Sequence, residues 1–278
     1  MEYKIIKPLS NNVVLANKED KNYVLLGKGI GFGKKKNMIL KDSDNIEKIF
    51  ISLDDFNLIE YENLLSKVDP KILELTERII SMVSKELKEN LNPHIHIGLI
   101  DHINFAIKRL EEGIEIVNPF LFETKLLYPQ EYKLAEKAVN ILRENLNIKI
   151  PDAEIGFITF HIYGARKNKV KRDAFKNSKI VSKIIDYTQR KLQIDLSKGS
   201  FDYIRFVMHL KGVLNRLNEG KCIENVLLQK VKDEFKYEYK IAYDISKIIE
   251  NDLRIKVPDD EIGYIALHLH KLKKYPLK

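Results

Sequence analysis

The sequence predicts a mainly α, multidomain protein: a small antiparallel β domain followed by two homologous all-α helical-bundle domains. Three observations carry that prediction. The chain repeats itself, because His102 recurs as His209 and His161 recurs as His268, each 107 positions further on. The hydrophobic period changes from strand-like to helical at Pro70. Ahead of Pro70, short apolar stretches alternate with turn residues. The expected division is residues 1–60 for the β domain with its linker, 61–172 for the first helical copy and 173–278 for the second.

The strands come first. Tyr3–Ile6, Val13–Ala16, Tyr23–Leu26 and Met38–Leu40 are broken by Leu9-Ser10-Asn11-Asn12, by Lys18-Glu19-Asp20-Lys21 and by the glycine-rich Gly27–Gly33. A domain of this size has a marginal core and gains from pairing with a second copy. The stretch Asp54–Asp69 links it to the first helix, where Ile72, Leu75, Ile79, Val83, Leu87 and Leu91 form one stripe that stops at Asn92-Pro93. Gly113 and Gly220 each close an arginine-leucine-containing segment, and Pro151-Asp152-Ala153-Glu154-Ile155-Gly156 matches Pro258-Asp259-Asp260-Glu261-Ile262-Gly263. Both prolines suit a first helical turn. His161 and His268 then lie two to three turns inside their helices. Lys167–Asp173 is a charged connector between the copies.

Bulk properties narrow the class. The residues are 44% hydrophobic and 32% charged, the balance of a globular chain. No apolar run approaches the ~20 residues of a membrane span, and the start lacks a signal core, so a cytoplasmic protein without membrane insertion is expected. Cys222 stands alone and is expected to be buried filler. Of the net charge of +8, the first 41 residues hold +6, from nine lysines against three acids, which favours a polyanionic partner.

Gly27-Lys28-Gly29-Ile30-Gly31-Phe32-Gly33-Lys34-Lys35-Lys36 combines glycines that permit close backbone approach or positive φ, lysines that supply charge, and one aromatic ring. It lacks the spacing and βαβ context of a dinucleotide fingerprint. Two readings compete: a flexible turn with Phe32 in the core, or a nucleic-acid loop with Phe32 as a stacking platform. Asn11 and Asn12 either cap a turn or read base edges in unpaired RNA.

These segments, with Ser10-Asn11-Asn12-Val13-Val14-Leu15-Ala16 and Ile46-Glu47-Lys48-Ile49-Phe50, resemble the RNA-binding domain of the BglG/SacY family of transcriptional antiterminators, and the resemblance extends over the whole chain. It implies a dimeric sheet domain that binds a partly mismatched hairpin in nascent mRNA. It also implies two helical regulation domains phosphorylated on histidine by the sugar phosphotransferase system. Carried over by position, Lys7, Asn11, Asn12, Gly27, Lys28, Gly29 and Phe32 contact RNA. Ser10 replaces the first of three asparagines common in the family. The phosphorylated residues are His102, His161, His209 and His268. The donors are the carrier protein HPr and the sugar permease enzyme II; no cofactor or metal is implied, and the chain is not an enzyme. Asp101 precedes His102, whereas Met208 precedes His209, so the two copies differ beside their first histidine.

The histidines also make sense by chemistry alone. A single helical histidine is ordinarily a hydrogen-bonded structural group, but imidazoles kept in register across a duplication are nucleophiles near neutral pH that can accept a phosphoryl group. His94 and His96 read as loop histidines outside the site, and His270 projects from a different helical face than His268. Two other functions remain open: a DNA-binding activator carrying the same regulation domains, which requires an N-terminal helix-turn-helix, and a metal-dependent hydrolase using the histidine pairs.

Overall fold

The computed structural model describes residues 2–41, 44–51, 68–166 and 169–272. The described chain begins with a five-stranded antiparallel sheet: β1 (Glu2–Ser10), β2 (Val13–Lys18), β3 (Lys21–Leu26), β4 (Ile39–Lys41) and β5 (Lys48–Ile51), in the order β4-β1-β2-β3-β5. Central position follows from composition. Val13, Val14, Leu15 and Ala16 of β2 are all fully buried, so this strand is covered on both faces. One face packs Tyr3, Ile5, Val14, Ala16, Leu25, Ile30 and Leu40 together. β1 runs longer than its apolar stretch because two register shifts against β2, between Ile5 and Lys7 and between Pro8 and Ser10, accommodate an extra residue each. β5 was not anticipated as a strand; it pairs with β3 through Tyr23–Ile51 to Leu26–Lys48.

Among the described residues ten helices follow: α1 (Pro70–Leu87), α2 (His94–Glu111), α3 (Leu121–Leu127), α4 (Pro129–Asn145), α5 (Ala153–Ala165), α6 (Lys171–Leu192), α7 (Phe201–Asn218), α8 (Leu228–Glu234), α9 (Lys236–Leu253) and α10 (Asp259–Leu272). α2 and α7, like α3 and α8, are displaced by the same 107 residues that separate the histidines. Asp69 starts α1 by accepting the Lys71 amide at 2.7 Å, with Pro70 in the first turn. The helix ends before Leu91, because Lys88 adopts a left-handed conformation (φ 54°) with no glycine to announce it. Pro151 and Pro258 lie just ahead of α5 and α10 rather than within their first turns.

The chain packs as two compact units, Met1–Asn118 with Gln130–Lys171, and Pro119–Pro129 with Arg172–Lys278. In the first, β1 packs on α1, and α2 packs on both α1 and α5. α5 is apolar around most of its circumference, with ten of its thirteen residues buried, so it forms the unit's interior. In the second, α10 packs on α7, α8 and α9. α3 belongs to this unit: buried Glu123 accepts a hydrogen bond from the Tyr203 hydroxyl of α7, and Phe122 meets the Tyr203 ring edge-on. Its counterpart α8 packs instead on α9 and α10.

Three expectations need correction. Cys222 is exposed, since it falls in the irregular segment after Gly220 rather than on a packed helical face. His94 and His96 lie in the first turn of α2, not in a loop, and His96 is buried with its Nδ1 at 2.8 Å from the Glu77 carboxylate. Of the link 54–69, residues 54–67 lie outside the described residues and Val68 is buried; of the connector 167–173, only 167 and 168 lie outside, and Lys171–Asp173 open α6 rather than linking the copies. No described helix is long and apolar enough to cross a membrane.

Candidate functional site

The β domain presents its glycine loop on a rigid frame. A Cβ on Gly27 would lie 1.9 Å from the Asn45 carbonyl oxygen, and one on Gly31 2.1 Å from that of Ser10, so both positions need glycine for close approach. Gly29 (φ 71°) and Gly33 (φ 67°) instead supply left-handed backbone. Asn11 and Asn12 hold the loop: their carbonyls accept the amides of Gly31 at 2.9 Å and Gly27 at 3.0 Å. The Asn12 side chain accepts the Gly29 amide at 2.8 Å and donates to Glu74 of α1 at 2.7 Å. Asn12 is thus engaged at both ends of its amide.

Phe32 is 74% exposed, which removes the core reading for its ring. An exposed phenyl between glycines, beside Lys28 and Lys34–Lys36, can stack a base while the ammoniums pair with phosphates. Of the other expected contact residues, Asn11, Lys28 and Gly29 are exposed, Lys7 and Asn12 are half-buried, and Gly27 is buried. Lys7 sits on β1 opposite Leu15, directly after the first register shift.

In the helical part the structure brings the two histidines of each copy together. His102 of α2 and His161 of α5 have ring centroids 4.9 Å apart; His209 of α7 and His268 of α10 stack at 3.8 Å with planes 23° apart. His161 is 8% exposed, and burial, then His102 and Lys171, holds it well below the usual histidine range. Burial, with His268 and Arg216 adding to it, pushes His209 down to about 3. His268 is lowered to about 4, again chiefly by burial, then by Lys271 and Arg205. These three rings are neutral at physiological pH and keep a nucleophilic lone pair.

Their surroundings include groups that sequence reasoning missed. Lys171 Nζ lies 2.5 Å from His161 Nε2, and burial lowers this lysine's pKa. Nothing in the charged connector distinguished it. Asn92, His94, Gly98, His161, Gly164 and Lys171 line a cleft here, and an ammonium beside the imidazole favours an anion on it. His102 Nε2 lies 2.8 Å from the Glu154 carboxylate. Its counterpart Glu261 is instead gripped by Arg216 through two hydrogen bonds of 2.6 and 2.8 Å, and His209 Nε2 is buried without a hydrogen-bond partner among the described residues. The repeated Pro-Asp-x-Glu-Ile-Gly segment carried the signal for both glutamates. His270 keeps outside, its ring against Phe235 at 4.1 Å. Among the described residues no group of three or more His, Cys, Asp or Glu side chains is arranged to hold a metal ion.

Comparison with known proteins joins the two halves. Residues 3–57 match the CAT RNA binding domain, and residues 77–165 and 182–272 each match the PRD domain. The chain is 33% identical over 276 residues to the transcription antiterminator LicT of Bacillus subtilis, covering 98% of this chain and 99% of LicT. It is 32% identical over 271 residues to protein GlcT of Staphylococcus saprophyticus, covering 97% and 96%. A crystal structure of GlcT CAT-PRDI aligns to 60% of this chain and all of its own, with 40% identity and a TM-score of 0.55. The chain belongs to the BglG/SacY family of transcriptional antiterminators, built from a CAT RNA-binding domain and two PRD domains.

Proposed function

We propose that this chain is a sugar-responsive antiterminator whose β domain, residues 1–60, clasps a partly mismatched hairpin in nascent mRNA and prevents an overlapping terminator from forming. The PRD domains, 61–172 and 173–278, set that activity through phosphorylation of His102, His161, His209 and His268 by HPr and the sugar permease enzyme II. The observation that carries the reading is that the two histidines of each copy, borne on two different helices, lie ring against ring. In each transfer the imidazole lone pair forms a bond to phosphorus, and the donor's bond to phosphorus breaks with its electrons returning to the donor atom. The chain is a phosphoryl acceptor and regulator, not an enzyme, and works in the cytoplasm.

Phosphorylation replaces a neutral ring by a group of roughly −1.5 to −2 charge. Two half-buried rings stacked 3.8 Å apart leave little space between them for such a group, so modification is expected to loosen the pair and the helices that carry it. The proposed RNA-binding unit is a homodimer. Met38, Ile39 and Ile49 are exposed apolar side chains on a domain too small for a large core of its own, which supports pairing. A DNA-binding activator calls for a helix-turn-helix at the N-terminus, where this chain has a sheet. A gel-shift titration of the full chain against partly mismatched hairpins from phosphotransferase-operon leaders tests the proposal. Salt-sensitive binding to such a hairpin, stronger than to a fully paired control, is expected; equal affinity for both would overturn it.

A further inference from the structure

The first histidines of the two copies occupy the same register but are held in opposite ways. In the first copy His102 Nε2 meets the buried Glu154 carboxylate at 2.8 Å. A carboxylate only accepts, so Nε2 carries the proton and the lone pair is left on Nδ1. In the second copy Arg216 occupies both oxygens of Glu261, and His209 Nε2 has no such partner. One residue pair accounts for the difference. Position 105 is phenylalanine, and its ring holds Arg109, the counterpart of Arg216, at 5.6 Å from its centroid. The matching position in the second copy is Gly212, where an added Cβ would come within 3.2 Å of Arg216 Nη1. The missing side chain leaves Arg216 room to fold onto Glu261, whereas Phe105 gives Arg109 an alternative seat.

We propose that Glu154 is a positioning residue that directs phosphoryl transfer on His102 to Nδ1, and that Phe105 preserves this by keeping Arg109 off Glu154. The inference rests on His102 being a phosphoryl acceptor. In the transfer, the Nδ1 lone pair forms the new N–P bond and the donor's bond to phosphorus breaks toward the donor. The ring gains positive charge, and its Nε2 proton remains shared with, or passes to, Glu154. A carboxylate at that nitrogen stabilises the developing imidazolium. It also repels a phosphoryl group from the Nε2 side.

The test uses the full chain, labelled with 15N-histidine and phosphorylated with phosphoramidate, whose P–N bond breaks to release ammonia. Nitrogen–phosphorus couplings in NMR spectra identify the bonded ring nitrogen, and loss of the signal in His102→Ala assigns it. The wild-type chain is expected to carry phosphorus on Nδ1 of His102. In Glu154→Ala, and independently in Phe105→Gly, the Nδ1 to Nε2 ratio is expected to fall about tenfold or more, the scale of losing one charge-assisted hydrogen bond. Phosphorus on Nε2 of wild-type His102, or a ratio unchanged in Glu154→Ala, overturns the assignment of Glu154 while leaving His102 an acceptor. Phosphorylation of the other three histidines with none on His102 overturns both.

Discussion

Replacing Phe32 by alanine separates the binding and folding roles of the glycine loop. At 74% exposure the phenyl ring buries only about a quarter of its surface within the chain. The full cost of truncating a buried phenylalanine is about 3–5 kcal/mol, so this fraction corresponds to roughly 1 kcal/mol or less of stability. A base stacked on the ring is worth about 1–3 kcal/mol, which is roughly 5- to 150-fold in Kd at 1.4 kcal/mol per decade. Hairpin affinity should therefore fall by one to two orders of magnitude while the thermal midpoint of the sheet domain shifts by only a few degrees. Gel-shift titration and differential scanning calorimetry on the same preparations measure the two quantities. A lowered midpoint with unchanged RNA affinity would refute the platform.

Four other outcomes are expected. Lys28→Ala should weaken hairpin binding and reduce the slope of log K against log salt by about 1, since Lys28 is exposed beside Phe32; an unchanged slope removes it from the phosphate contacts. Glu74→Ala frees the Asn12 amide and should raise hairpin affinity if that amide reads RNA, so an affinity that falls with folding intact argues that Glu74 holds the loop in its binding form. Arg216→Ala leaves the Glu261 carboxylate buried and unpaired and should destabilise the chain by about 3–5 kcal/mol, read as a lower urea midpoint. His209 is neutral when folded, because its pKa is lowered to about 3, yet the unfolded chain protonates near 6.5. The unfolded state thus binds more protons between those values, so stability is complete above about pH 6.5 and is lost as pH falls toward 3, at up to about 1.4 kcal/mol per unit. His209→Gln should flatten that slope in urea titrations between pH 7 and 5.

The order of elements was legible because the duplication left the register intact: α2 and α7 start and stop at matched positions. Lys48–Ile51 escaped notice as a strand because four residues at a sheet edge carry too little alternation to stand out. Leu91 extended the α1 stripe on paper, but a left-handed Lys88 ends the helix without a glycine or proline to mark it. The four candidate histidines were legible from the repeat, whereas their pairing within each copy and their other partners were not. Lys171 reaches His161 only because the close approach of Gly164 to Lys171 brings the start of α6 beside α5. His96 looked like a loop residue because its buried partner, Glu77, lies nineteen positions away on another helix and has no counterpart in the second copy, where Ile184 stands. The contrast between Phe105 and Gly212 was present in the sequence, yet its consequence depends on where the neighbouring arginine folds.

Phosphorylation of the paired histidines is expected to control RNA binding. Incubating the full chain with phosphorylated HPr or the sugar permease, mapping phosphohistidines under non-acidic conditions and titrating the same sample with hairpin RNA tests it most directly. Phosphoryl groups are expected on His102, His161, His209 and His268, with none on His94, His96 or His270, and hairpin affinity is expected to change with their occupancy. Phosphoryl groups confined to other residues, or full occupancy of the four histidines with RNA affinity unchanged, would contradict it.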